Sequence, residues 1–340
     1  MNRKFLIFRF IVFLVFIYPV VATATEVNVY SARKENLIKP LFDRFTEQTG
    51  IKVNLVTGDA DTLIKRLEVE GENSPADILL TVDVARLDRA KNKQLFQKID
   101  SEILNTSIPD IYRDDEGFWF GLSLRSRVIV YAKDRVKPEQ LESYEALADP
   151  KWKGKLCVRS SSNVYNQSLV ASIIAHRGVE ETEEWARGLV NNFARPPKGG
   201  DRDQIKAVAS GQCDLALVNT YYLGGMQHSV LENEKSAAAK VELFWPNQND
   251  RGTHINISGA GVTRSSKNRN EAIKLLEFLV SDKSQHWYAD TNFEYPVKSG
   301  IKINDTLRHW GNFVSDEVNM DQLGKLNAEA VRLMDRAGWK

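Results

Sequence analysis

The sequence is poor in cysteine, with two among 340 residues, and has five histidines. Two cysteines exclude a small disulfide scaffold. The histidines (His176, His228, His254, His286, His309) show no H-x-x-x-H or similar pairing, so catalytic zinc and nucleophilic triads have little to draw on. No G-x-S-x-G elbow is present, which weighs against a secreted serine hydrolase. Charge of one sign is also lacking: 46 Lys and Arg stand against 45 Asp and Glu. A nucleic-acid binder working by bulk electrostatics needs a clustered positive excess. There is no repeat of fixed period, so solenoids and propellers drop out. Beyond the first residues no apolar run approaches a membrane span.

Those first residues are different. Arg3 and Lys4 precede an apolar run from Phe5 to Val21, which ends in Ala22-Thr23-Ala24. A charged start, an apolar middle and an A-x-A-like exit describe a secretory signal peptide over 1–24, cleaved near Ala24. An uncleaved anchor is the competing reading, and Arg9 interrupts the run that would form it. Removing three basic residues turns the formal +1 into about −2. No cysteine stands at the cleavage point, so no lipid anchor is indicated. The mature protein is expected to be exported and soluble.

The mature chain alternates strand and helix. Val27 and Val29 alternate with polar neighbours; Leu37 to Phe45 recur at helical spacing and stop at Gly50; Ile51, Val53 and Leu55 alternate again. A helix with Leu63, Ile64 and Leu67, a strand at 77–81 and a helix over 84–96 follow. Further strands are expected at 128–131, 156–158, 213–218 and 257–262, with helices over 165–176 and 271–279. This order predicts a mostly parallel α/β sheet covered on both faces. Cys157 and Cys213 lie on two of these strands, each eight residues before a tyrosine, Tyr165 and Tyr221. If the strands are parallel neighbours, both tyrosines reach one carboxyl edge. Export favours a disulfide between the cysteines over two buried thiols.

Ligands of open α/β sheets bind beyond the carboxyl ends of the strands. The residues there are rich in phenols and hydroxyls and contain no histidine. Ser160 to Tyr165 opens a helix, whose free N–H groups and Ser hydroxyls make an anion cradle; ordinary capping by Ser162 or Asn163 is compatible with that. The Tyr221-Tyr222 pair taken alone reads more readily as packing.

Taken together these segments resemble periplasmic ferric-ion-binding proteins. The similarity rests on Asn219-Thr-Tyr221-Tyr222, Tyr30-Ser-Ala-Arg33, Pro75-Ala-Asp77, Leu124-Arg-Ser-Arg127-Val-Ile-Val-Tyr131, Trp152-Lys-Gly154-Lys and Ser160-Ser-Ser-Asn-Val-Tyr165. It runs from about residue 26 to the C-terminus. The resemblance implies a type II periplasmic binding protein: an α/β chain in two hinged lobes, 25–125 plus 252–302 and 126–251 plus 303–340, with the C-terminal helices finishing on the second. It implies a non-enzymatic carrier, in monomeric form, delivering Fe³⁺ to an inner-membrane ABC permease and its ATPase. Tyr165, Tyr221 and Tyr222 would bind the metal. Where family branches place a histidine, an extra tyrosine or a carboxylate, this chain has Lys34, Glu35 and Val82. Open coordination positions would then fall to an anion such as carbonate, held by Arg33, Arg125 and the Ser162-Asn163-Val164 backbone. Arg127, Asn219, Glu35 and Tyr30 are further candidates.

The chemistry agrees with that implication. Fe³⁺ is a hard cation that favours anionic oxygen. Three phenolates cancel its charge, and an anion can complete the shell beside a guanidinium. A carrier of an oxyanion or small organic molecule on the same fold is the alternative.

Overall fold

The computed structural model describes residues 25–340. The signal-peptide reading concerns 1–24 and lies outside the described residues. Eight strands form one twisted sheet: β1 (Glu26–Ser31), β2 (Lys52–Thr57), β3 (Ile78–Thr81), β4 (Phe120–Ala132), β5 (Leu156–Cys157), β6 (Leu215–Asn219), β7 (Val241–Phe244) and β8 (Ile255–Val262). Their order is β2-β1-β3-β8-β4-β6-β5, with β7 also on β4.

The alternation of side chains sorts residues between layers. Val27 and Val29 of β1 enter one core with the helices Lys39–Thr49 and Arg269–Leu279, while Tyr30 faces another. In β4, Val128 and Val130 meet the helix Asp201–Ala209, whereas Ile129 and Tyr131 join the opposite layer. Gly50 ends its helix as expected, at φ 73°. The helix expected over 165–176 is the first segment of Val164–Asn191, broken at Gly178 with φ 78°. The helix expected over 84–96 is shorter, Val84–Asn92. Gln94 turns with φ 55°, and Phe96 bridges to Thr263 instead.

The sheet is less parallel than the sequence suggested. Three ladders are parallel (β1 with β2 and β3, β5 with β6) and four are antiparallel. The reason is topological. β4 pairs with β8 through Ser126 and with β6 from Arg127 onward, so it leaves the half-sheet of β1–β3 and enters that of β5–β7. β8 brings the chain back, and an outgoing and a returning strand must run antiparallel. Tyr144 ties them together: its hydroxyl donates to the Arg127 carbonyl and accepts the His254 N–H at 3.1 Å.

The helix Met320–Arg336 packs on both Val164–Asn191 and Val84–Asn92, and so touches elements of both halves. Cys157 and Cys213 are joined by a disulfide, Cα atoms 5.9 Å apart, at the β5–β6 pair.

Candidate functional site

The β5–β6 pair places the tyrosines. Each strand leads into a helix, Val164–Asn191 after β5 and Thr220–Gln227 after β6. Tyr165 is the second residue of the first helix; Tyr221 and Tyr222 are second and third in the other. The Tyr221 hydroxyl lies 3.3 Å from that of Tyr165, and the rings of Tyr221 and Tyr222 are 4.3 Å apart. Two sequence segments 56 residues apart thus converge on one point.

Tyr165 and Tyr222 stand between two chambers of one cleft, and Tyr221 lines the larger of them. The larger, about 620 Å³, is lined by Arg33, Lys34, Arg125, Ser258, Phe293 and Glu294, among others. The smaller, about 430 Å³, takes in Arg86, Arg159, Ser160, Ser162, Asn163 and Val164. Tyr165, Tyr222, Ala32 and Val82 line both. Helices starting at Ala60, Val84, Val164 and Thr220 all open toward this cleft. The carboxylates of Asp59 and Asp83 cap the first two, and the other two, with no side-chain cap bond, present positive dipole ends that favour an anion.

Burial outweighs the nearby Arg125 and Arg159 guanidiniums and keeps the phenols of Tyr221 and Tyr222 protonated at neutral pH. Burial raises Tyr221 well above the ordinary value of 10, aided by the neighbouring phenols of Tyr165 and Tyr222. Tyr222 is raised as well, by burial first and then by Tyr165 and Asp201. Arg125 is 2% exposed, and its guanidinium lies 5.7 Å from the Tyr165 ring centre. One of its amino groups donates to Ser258 at 3.0 Å, while Nε and Nη2 have no partner. A buried guanidinium with unmatched donors, facing phenols, is a site wanting negative charge.

The other predicted residues divide. Ser162, Asn163 and Val164 line the smaller chamber, and the Asn163 side-chain oxygen is buried without a partner. Arg33 lines the larger chamber, but its guanidinium is directed to Glu294 (2.6 Å), Ser258 (2.9 Å) and the Leu37 carbonyl (3.1 Å). Arg127 is turned away from the cleft, pairing with Asp201 at 2.5 Å and with Asn166 at 2.6 Å. Asn219 accepts from Arg127 and precedes the Tyr221 helix as its cap residue. Tyr30 donates to the Glu70 carboxylate outside both chambers. Glu35 is exposed and lines neither.

Sequence reasoning overlooked Arg159 and Asp201. Asp201 is fully buried, binds Arg127 and Arg159 at 2.5 Å each and accepts the Asn219 N–H at 2.9 Å. Arg159 in turn lies 5.7 Å from the Tyr165 ring centre. The Gly199-Gly200-Asp201 helix start was the available signal. Glu294 and Phe293 had none, being 261 and 260 residues from Arg33 along the chain. Among the described residues, no group of three or more His, Cys, Asp or Glu side chains could hold a metal. Asp59, Asp61 and Asp83 line the smaller chamber but are engaged, Asp59 in capping its helix, Asp61 with Arg86 and Arg89, and Asp83 with Ser168 and Asn256. The phenols are thus the clustered hard donors left to a ligand.

Comparison with known proteins agrees with this geometry. The family model for bacterial extracellular solute-binding proteins matches residues 73–313. The chain belongs to that family. It is 51% identical to Iron uptake protein A1 of Synechocystis over 315 residues, covering 93% of this chain and 88% of the relative. It is 32% identical to the Fe(3+)-binding periplasmic protein of Serratia marcescens, covering 91% and 89%. The solved structure of a Trichodesmium protein in complex with iron and citrate superposes with a TM-score of 0.89 at 50% identity, covering 93% and 100%. The resemblance read from the tyrosine motifs and the type II binding-protein fold are both borne out, and these relatives are transport and binding proteins rather than enzymes.

Proposed function

We propose that this protein is an exported Fe³⁺ carrier that delivers the ion to an ABC permease and its ATPase, holding it on Tyr165, Tyr221 and Tyr222. The observation that carries the ligand assignment is the meeting of the Tyr165 and Tyr221 hydroxyls at 3.3 Å beside a buried guanidinium with unmatched donors. The iron-binding relatives support the cargo. Arg125, with the N-terminal turn at Ser162-Asn163-Val164, holds a small anion such as carbonate that completes the shell. The two half-sheets act as lobes hinged at β4 and β8, with Tyr144 between them. The carrier works as a monomer in the periplasm after losing residues 1–24.

The test is an absorption titration of the metal-stripped mature protein with Fe³⁺, with and without bicarbonate. The expected result is a visible phenolate-to-iron band saturating at one ion per chain and dependent on bicarbonate. No band at any iron level would turn the reading toward an oxyanion carrier.

A further inference from the structure

All three phenols stand on helices that follow β5 and β6, while the carboxylates that the half-sheet of β1–β3 brings to the cleft are already engaged: Asp59 caps its own helix, Asp61 pairs with Arg86 and Arg89, Asp83 accepts from Ser168 and Asn256, and Glu294 is paired with Arg33. Something other than a metal bond from that side must hold the two halves over a loaded ion. Phe293 is placed for it. It follows the helix Asp282–Asn292, lines the larger chamber and is 9% exposed. Its side chain packs close against Gly224 of the tyrosine helix, so a Cβ there would come within 2.6 Å of Phe293 Cγ. The same ring stacks on His228 just past the helix end, centroids 5.0 Å apart and planes 17° apart. With Ala289 and Leu307, Phe293 forms a small cluster, separate from the main cores, against which Tyr221 packs.

Its backbone makes the placement deliberate. Phe293 has φ 55° and ψ 35°, a left-handed conformation that a bulky residue rarely adopts. Such strain persists only where the surroundings over-determine it. Here Asn292 donates to the Leu37 carbonyl at 3.0 Å, Glu294 binds Arg33 at 2.6 Å, and Tyr295 exchanges backbone bonds with Leu124. The first half-sheet therefore grips both flanks and presents the ring to the tyrosine helix of the other.

We infer that Phe293 is a positioning residue that seats the Tyr221 helix and retards iron release, without itself touching the metal. This rests on the ferric reading above. Iron captured by the three phenols leaves only when the ring lifts from Gly224, so the contact governs the off-rate and not the donor set.

The experiment loads the mature protein with Fe³⁺ and bicarbonate and follows decay of the phenolate band under excess chelator. Phe293→Asn removes the ring while tolerating the left-handed backbone; Gly224→Ala pushes the ring away from the other side. Each is expected to speed release by about tenfold or more with the band position and stoichiometry unchanged, and Phe293→Leu to fall between. Thermal melts of the apo forms check folding, and Phe293→Asn is expected to fold because asparagine accepts this conformation. Release within twofold of the parent in both variants overturns the inference. So does a shifted or lost band in Phe293→Asn, which would make the ring part of the ligand geometry. A parent protein with no band at all overturns the ferric reading, and this inference falls with it.

Discussion

Replacing Tyr222 by phenylalanine should change how iron affinity depends on pH, by an amount fixed by proton counting. At neutral pH an ordinary phenol must lose its proton to ligate, at a cost of about 4 kcal/mol. Tyr221 and Tyr222 cost more, because burial and neighbouring phenols raise them. The free protein holds the Tyr221 and Tyr222 protons that the loaded one has released, so binding strengthens as pH rises and weakens as it falls. Each such phenol contributes about tenfold per pH unit, and the two give about a hundredfold. The competing chelator and the anion have their own titrations, but these cancel when parent and Tyr222→Phe are compared in the same buffer. The ratio of their affinities should rise about tenfold per unit between about pH 6 and 8. For Tyr221→Phe the same slope should continue past pH 10, since the lost phenol is raised above that value. Chelator competition read at the charge-transfer band gives the ratio directly. A ratio independent of pH would show that the tyrosine does not ligate as phenolate, and would refute the assignment.

The unmatched Nε and Nη2 of Arg125 predict that Arg125→Gln needs about tenfold more bicarbonate to develop the band, as a charged hydrogen bond is worth about 1.5–3 kcal/mol. Replacing both Cys157 and Cys213 by serine opens a 56-residue link and should lower unfolding stability by up to about 4 kcal/mol in a denaturant titration, with iron stoichiometry retained. Asp321 is pushed up to about 6 by burial first and by Asp114 and Asp88. A raised folded carboxyl loses stability as pH climbs from about 4 through 6, so Asp321→Asn should raise the melting temperature at pH 7.5 and not at pH 4. The gain is about 1 kcal/mol, reduced by solvent screening of a half-buried group.

The tyrosine end of the site was legible because it is local: strand, short loop and helix bring a residue eight positions past each cysteine to a common edge. Parallel pairing of β5 with β6 was the condition, and it is met. The Arg33 partnership was illegible for the opposite reason. Its guanidinium is taken by Glu294 and Ser258, brought in by strand β8 and the residues after it, and no local period encodes a contact across 225 or 261 residues. The parallel character of the sheet was overestimated because each strand was judged by its own apolar run. Direction depends on whether the chain is leaving a half-sheet or returning to it, as β4 and β8 show.

Lys34 and Glu35 are exposed and Val82 is apolar, so on the proposed function the first half-sheet contributes enclosure where the second contributes ligands. Arg125 lies close to both sides, since it pairs with Asn256 of β8 two residues before Arg127, where β4 changes partner to β6. On the proposed hinge, a guanidinium at that point would stay near the tyrosines as the halves move, because the strand on which it lies is common to both. Charge balance for the ion can then be established before the cleft closes, and closure adds exclusion of water and the grip of Phe293 on the tyrosine helix. Capture and retention become separable steps with separate residues. A membrane partner that drew the first half-sheet away would weaken retention while leaving the ion on its phenolates until they were reprotonated or the anion departed.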